Sequence, residues 1–156
     1  MKKTITTLLI ATVLLTSCNN GGSSASANRP KTPEELKAEL KQQEQLNPTQ
    51  YLTVQSGMQP NQVQTREAGL FHNAEFSTDG YNITGTIKNS ATVAKYKDVI
   101  LTVQFMSKTE TVIEEKDYPL YDFFQPNSTT PFTLKVYPPA SMEKYGVGVK
   151  GATGVN

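Results

Sequence analysis

Val99-Ile100-Leu101-Thr102-Val103-Gln104-Phe105-Met106 decides the fold. Val99, Leu101, Val103 and Phe105 alternate with Ile100, Thr102, Gln104 and Met106, and an apolar period of two marks a strand with one buried face. Working outward, Tyr81 to Lys88 puts Ile83, Gly85 and Ile87 on one face. Asn82, Thr84, Thr86 and Lys88 take the other. Thr111 to Tyr118 reads as a strand, as do the runs marked by Phe132, Leu134 and Val136 and by Tyr145, Val147 and Val149. A short strand at Tyr51 to Val54 and another from Gly69 to Ser77 come before them, and Asp79-Gly80 signals a hairpin turn. Gly85 inside a strand points to a bulge or to close packing across two sheets. Strands at short spacing with no helix between them predict an all-β, single antiparallel β-sandwich over residues 48–156. A small open barrel is the alternative.

The other end of the 156-residue chain is of a different kind. Lys2 and Lys3 precede an apolar run from Ile5 to Leu15. That run is about half the length of a membrane-spanning helix, so residues 1–17 read as a signal peptide. Leu15-Thr16-Ser17-Cys18 resembles the lipobox of bacterial lipoproteins, and Cys18 is the chain's one Cys. The resemblance implies cleavage before Cys18 and lipid attachment there. One acyl chain holds a protein at a membrane marginally and two or three hold it durably. Loss of Lys2 and Lys3 leaves 13 basic and 14 acidic side chains, so lipid and not a polybasic patch supplies the hold.

Asn19 to Arg29, within the 18–31 linker, has no large apolar side chain and reads as a flexible tether reaching about 20 Å. Asn19 stands where Asp would favour inner-membrane retention under the enterobacterial sorting rule. The expected place is therefore the outer membrane facing the periplasm, with the cell surface as the alternative. Thr32-Pro33-Glu34-Glu35 opens one short polar helix over 32–47, with Thr32 as cap and Glu35 completing a capping box. It stops before Asn47-Pro48. Only Leu36 and Leu40 share a face, which predicts a solvated stalk or a loosely docked helix.

Thr84-Gly85-Thr86-Ile87-Lys88-Asn89, the long hydrophobic strand ending in Phe105, and Pro126-Asn127-Ser128-Thr129-Thr130-Pro131-Phe132 together resemble the FxLyD-type domain. The resemblance runs from about Tyr81 to Val149 and implies an immunoglobulin-like sandwich of bacterial exported proteins and lipoproteins. It implies no catalytic residues.

Chemistry is sparse. With one Cys and one His the chain cannot assemble a Cys/His zinc site or a disulfide framework. His72 has no partner in the sequence with which to argue a triad. A formal charge of +1 gives no surplus for nucleic acid. Glu115 and Asp117 share a strand face while Glu114 points away, and with Lys116 they read as a guarded strand edge. Asp79, Asp98 and Asp122 lie near loops, but no calcium-loop spacing joins them. Tyr118, Tyr121, Phe123 and Phe124 form the candidate surface for a partner or ligand, with core packing as the competing account. The sequence thus predicts a non-enzymatic, monomeric envelope lipoprotein without cofactor or metal. It would be held to the membrane through Cys18 and would contact an envelope protein. A module binding a small ligand or glycan on those aromatics is the second reading.

Overall fold

The computed structural model describes residues 29–71 and 73–155. The signal peptide, Cys18, Asn19, the tether up to residue 28, and His72 lie outside the described residues. Two helices lead, α1 (Pro33–Leu46) and α2 (Pro48–Tyr51). Then come β1 (Leu52–Arg66), β2 (Glu75–Asn89), β3 (Lys95–Met106), β4 (Val112–Leu120), β5 (Ser128–Val136) and β6 (Lys144–Val155). They form two antiparallel three-stranded sheets, ordered β1-β2-β5 and β4-β3-β6. The first, second and fifth strands share one sheet, and the third pairs with the fourth and sixth. That order is the A-B-E and C′-C-F arrangement of an immunoglobulin-like sandwich.

The core lies between the sheets and follows the alternation in the sequence. Ile83 and Ile87 of β2 and Phe132, Leu134 and Val136 of β5 face Val99, Leu101, Val103 and Phe105 of β3. Tyr96 is buried as well, although it lies out of phase with Val99. The register of β3 against β6 shifts between Lys97 and Ile100, and Asp98 there has φ +50°. The irregularity turns Tyr96 inward, so β3 starts four residues before the alternation begins.

Two expected boundaries need correction. Asp79-Gly80 is not a hairpin turn, because β2 runs straight through it. Gly80 has φ +73° and sits opposite the register shift between Pro60 and Gln62, so the left-handed residue serves a bulge. Nor does the first strand end at Val54. β1 is 15 residues long, pairs along β2 as far as Arg66↔Glu75, and the chain reverses over residues 67–74. Gly85 does mark a close approach, but within its own sheet. A Cβ there would overlap the Gln55 carbonyl oxygen of the neighbouring strand.

One edge of each sheet is guarded. β4 carries Glu114, Glu115, Lys116 and Asp117 along one edge, and β5 carries Pro131.

Candidate interaction surfaces

The described residues offer two regions where function can reside, at opposite ends of the sandwich. One is the end capped by α1 and α2. The other is the part of the β1–β2 hairpin beyond the last contact of β2 with β5, at Tyr81↔Val136.

At the capped end Asn89 organises the loops. It is fully buried, donates from Nδ2 to the carbonyls of Ala94 (3.0 Å) and Phe124 (3.1 Å), and accepts from the Ala91 N–H (2.9 Å). Asn127 N–H donates to the Ala91 carbonyl at 3.1 Å, and Tyr96 and Phe124 exchange backbone bonds. Residues 90–94 and 121–127 are thereby fixed to each other. The helix is fixed to them through Glu44, which is only 2% exposed. Its carboxylate accepts from Thr92 N–H (2.8 Å), Thr92 hydroxyl (2.8 Å), Val93 N–H (2.9 Å) and Ala94 N–H (2.7 Å). Burial pushes the Glu44 carboxyl up, but these four bonds together hold it below its ordinary value. The Tyr96 hydroxyl donates to the Glu44 carbonyl at 2.6 Å. Burial, and then the Glu44 and Tyr51 charges, push the Tyr96 phenol up to about 12.

This end also shows where the aromatic candidates fall. Phe124 is 1% exposed and belongs to the core, which corrects its assignment to a surface. Tyr118 is half-buried against the same core. Tyr121 and Phe123 are exposed, and the Lys95 ammonium sits 3.9 Å from the Phe123 ring centroid. The structure therefore splits the set of four. Strand alternation ends before Tyr121, Phe123 and Phe124, so the sequence had no period by which to sort those three.

The hairpin arm is the opposite case. From Gln62 to Asp79 its described residues are exposed on both faces, apart from the half-buried Ala74. Leu70 is 96% and Phe71 98% exposed at the tip. Arg66 pairs with Glu75 at 2.9 Å just below them. The base is braced: Asn61 Nδ2 donates to the Asp79 carbonyl (3.1 Å), and Asn82 Nδ2 donates to Asn61 Oδ1 (3.1 Å). Lys135 Nζ (2.6 Å) and the Tyr137 hydroxyl (3.2 Å) donate to the Asp79 carboxylate. The Lys135 hydrogen bond leads in holding the Asp79 carboxyl below its usual range. Sequence reading missed this surface, because β1 beyond Gln55 has no apolar alternation to announce a strand.

The carboxylates of β4 are engaged. Asp117 accepts from Thr102 (2.7 Å) and Lys150, Glu115 accepts from Gln104 (2.7 Å), and Glu114 pairs with Lys116 (2.8 Å). A shallow trough of about 400 Å³ lies beside Thr102, Gln104, Gly146 and Gly148, open to solvent. Among the described residues no group of three His, Cys, Asp or Glu gathers to hold a metal, and no helix is long and apolar enough to cross a membrane.

Compared with known proteins, the chain matches no family model, no curated protein and no solved structure.

Proposed function

We propose that this chain is a non-enzymatic envelope lipoprotein, anchored by lipid at Cys18, whose sandwich offers the β1–β2 arm to a protein partner. The observation that carries the contact is the exposed Leu70-Phe71 pair at the end of a braced arm. Burying two large apolar side chains on a partner contributes several kcal/mol, which is enough to anchor a small interface. The tip stands clear of the helical end of the sandwich. The C-terminal end of α1 docks at the Leu52 end of β1. At about 3.3 Å per residue the other end of that 15-residue strand is some 45 Å away. The outer membrane facing the periplasm is the proposed location, and the FxLyD resemblance is retained as a proposed kinship.

Two experiments test this. A Cys18→Ala precursor is expected to lose acyl labelling and leave the membrane fraction; retention there would refute the anchor. In-cell crosslinking from the arm is expected to capture a defined envelope protein, and Leu70→Ser with Phe71→Ser to abolish the capture. Capture that survives those changes but fails in Tyr121→Ala with Phe123→Ala moves the contact to the capped end. That end is where a ligand or glycan reading would place it.

A further inference from the structure

α1 buries almost nothing apolar. Leu36, Leu40 and Leu46 are all exposed, and the one buried residue of its 14 is Glu44. Three successive amides, of Thr92, Val93 and Ala94, converge on that carboxylate. Converging main-chain N–H groups make a concavity suited to an anion. The seat does not depend on the helix for its shape. Asn89 pins it from below through Ala91 and Ala94, and Asn127 holds Ala91 from the side. Among the described residues the helix end also accepts the Tyr96 hydroxyl on the Glu44 carbonyl, donates Gln45 Nε2 to the Val155 carbonyl (2.7 Å), and packs the Gln45 side chain over Gly154.

We propose that Glu44 is a releasable clasp, a carboxylate plug in a ready-made amide seat, that couples the N-terminal stretch of the chain to the sandwich. When the plug is neutralised or removed, α1 comes away as a unit and the sandwich stays folded. The attachment is polar and local, whereas the sandwich is held by the apolar core between its sheets, so the two have no reason to fail together. Protonation is the simplest release. A neutral carboxyl carries a hydrogen that one of the converging donors must face, and it accepts more weakly. The titratable groups around Glu44 are Tyr96 of β3, bonded to its carbonyl, and Tyr51 of α2, whose charge acts on Tyr96. Tyrosines are neutral in acid, so acid release belongs to Glu44. The clasp does not depend on lipid at Cys18, and either idea can fail without the other.

Amide hydrogen exchange on the full chain tests it. In Glu44→Gln at pH 7, residues 33–46 and 92–94 are expected to exchange at least about tenfold faster than in the parent, while 99–105 of β3 stay within about twofold. The parent chain brought from pH 7 to 3.5, corrected for intrinsic rates, is expected to lose protection in the same order. Unchanged protection of α1 in both experiments overturns the proposal. So does equal loss in α1 and β3, which would make Glu44 part of one cooperative core. Should Glu44→Gln fail to fold, the acid series on the unaltered chain decides alone by the same criterion.

Discussion

The two ends of this sandwich invert the ordinary rule of burial in opposite senses. At the capped end a carboxylate is buried, while the leucines of the helix that carries it stay exposed. On the arm a Leu-Phe pair is fully exposed and the polar groups are tied to one another. The difference shows what each end is suited to do. A buried charge survives only where every lone pair finds a donor, so the capped end is a closed fitting between two parts of one chain. An exposed apolar tip gains nothing from the fold that carries it, and in the proposed reading a partner covers the arm. An isolated two-stranded ribbon is marginal in water. The Asn61–Asp79–Lys135–Tyr137 brace ties its base to β5, so the tip is displayed from a fixed footing.

Substitutions should separate the two ends. The largest effect is expected at the capped end. Phe124→Ala should cost about 4 kcal/mol, as for other buried phenylalanines, while its exposed neighbour Phe123→Ala should cost less than about 1. Urea melts of the two variants give the ratio, and equal losses would place Phe123 in the core as well. Gly85→Ala comes next, at about 2–3 kcal/mol, because its Cβ overlaps the Gln55 carbonyl and forces β1 from β2. Exchange protection across Leu52 to Met58 reports that separation.

Gly80→Ala should cost about 1–2 kcal/mol. The residue has φ +73° and its Cβ would lie 2.7 Å from the Val136 carbonyl oxygen. The loss should be visible first as faster exchange in the arm and only later as a lower melting temperature.

Stability against pH should separate the ends again. Glu44 titrates below its ordinary value in the folded chain, so its contribution is complete above about pH 4.3 and is lost as pH falls through the lowered value. Tyr96 is shifted the other way. Its contribution is complete below about pH 10 and is lost as pH rises toward about 12. Tyr96→Phe should therefore flatten the alkaline limb of a melting-temperature profile and leave the acid limb in place. The alkaline limb belongs to the capped end, whereas the acid limb is shared with Asp79 at the base of the arm. The smallest effect on stability, within about 0.5 kcal/mol, is expected from Leu70→Ser and Phe71→Ser, although these should have the largest effect on partner capture.

Much of the fold was legible in the sequence. The alternation from Val99 to Phe105, the isoleucines at 83 and 87, and Phe132, Leu134 and Val136 place the core, because burial on one face of a strand forces a period of two. Thr32 and Glu35 form the anticipated reciprocal cap, at 2.8 and 3.3 Å, because a capping box is a local structure. The hairpin was not legible. Asp79-Gly80 has the chemistry of a turn, but a left-handed glycine serves a bulge equally well, and only pairing with β1 decides between them.

The candidate surfaces were less legible still. Nothing in the sequence separates Glu44 from Glu34 or Glu39, since its distinction comes from amides about 50 residues away. Phe123 and Phe124 are adjacent and chemically identical, and the sandwich takes one and leaves the other.

The sequence alone was enough for most of the strands, their buried faces and the helix start, and it is the sole ground of the proposed lipid anchor at Cys18. Each of these rests on periodicity or on neighbours within a few residues. Tertiary structure alone decided which strands join, where the arm leaves the sheet, which aromatic is core, and that a glutamate fastens the helix. Those outcomes depend on contacts between residues far apart in the chain, where free energy is set by shape and hydrogen-bond geometry and not by residue type.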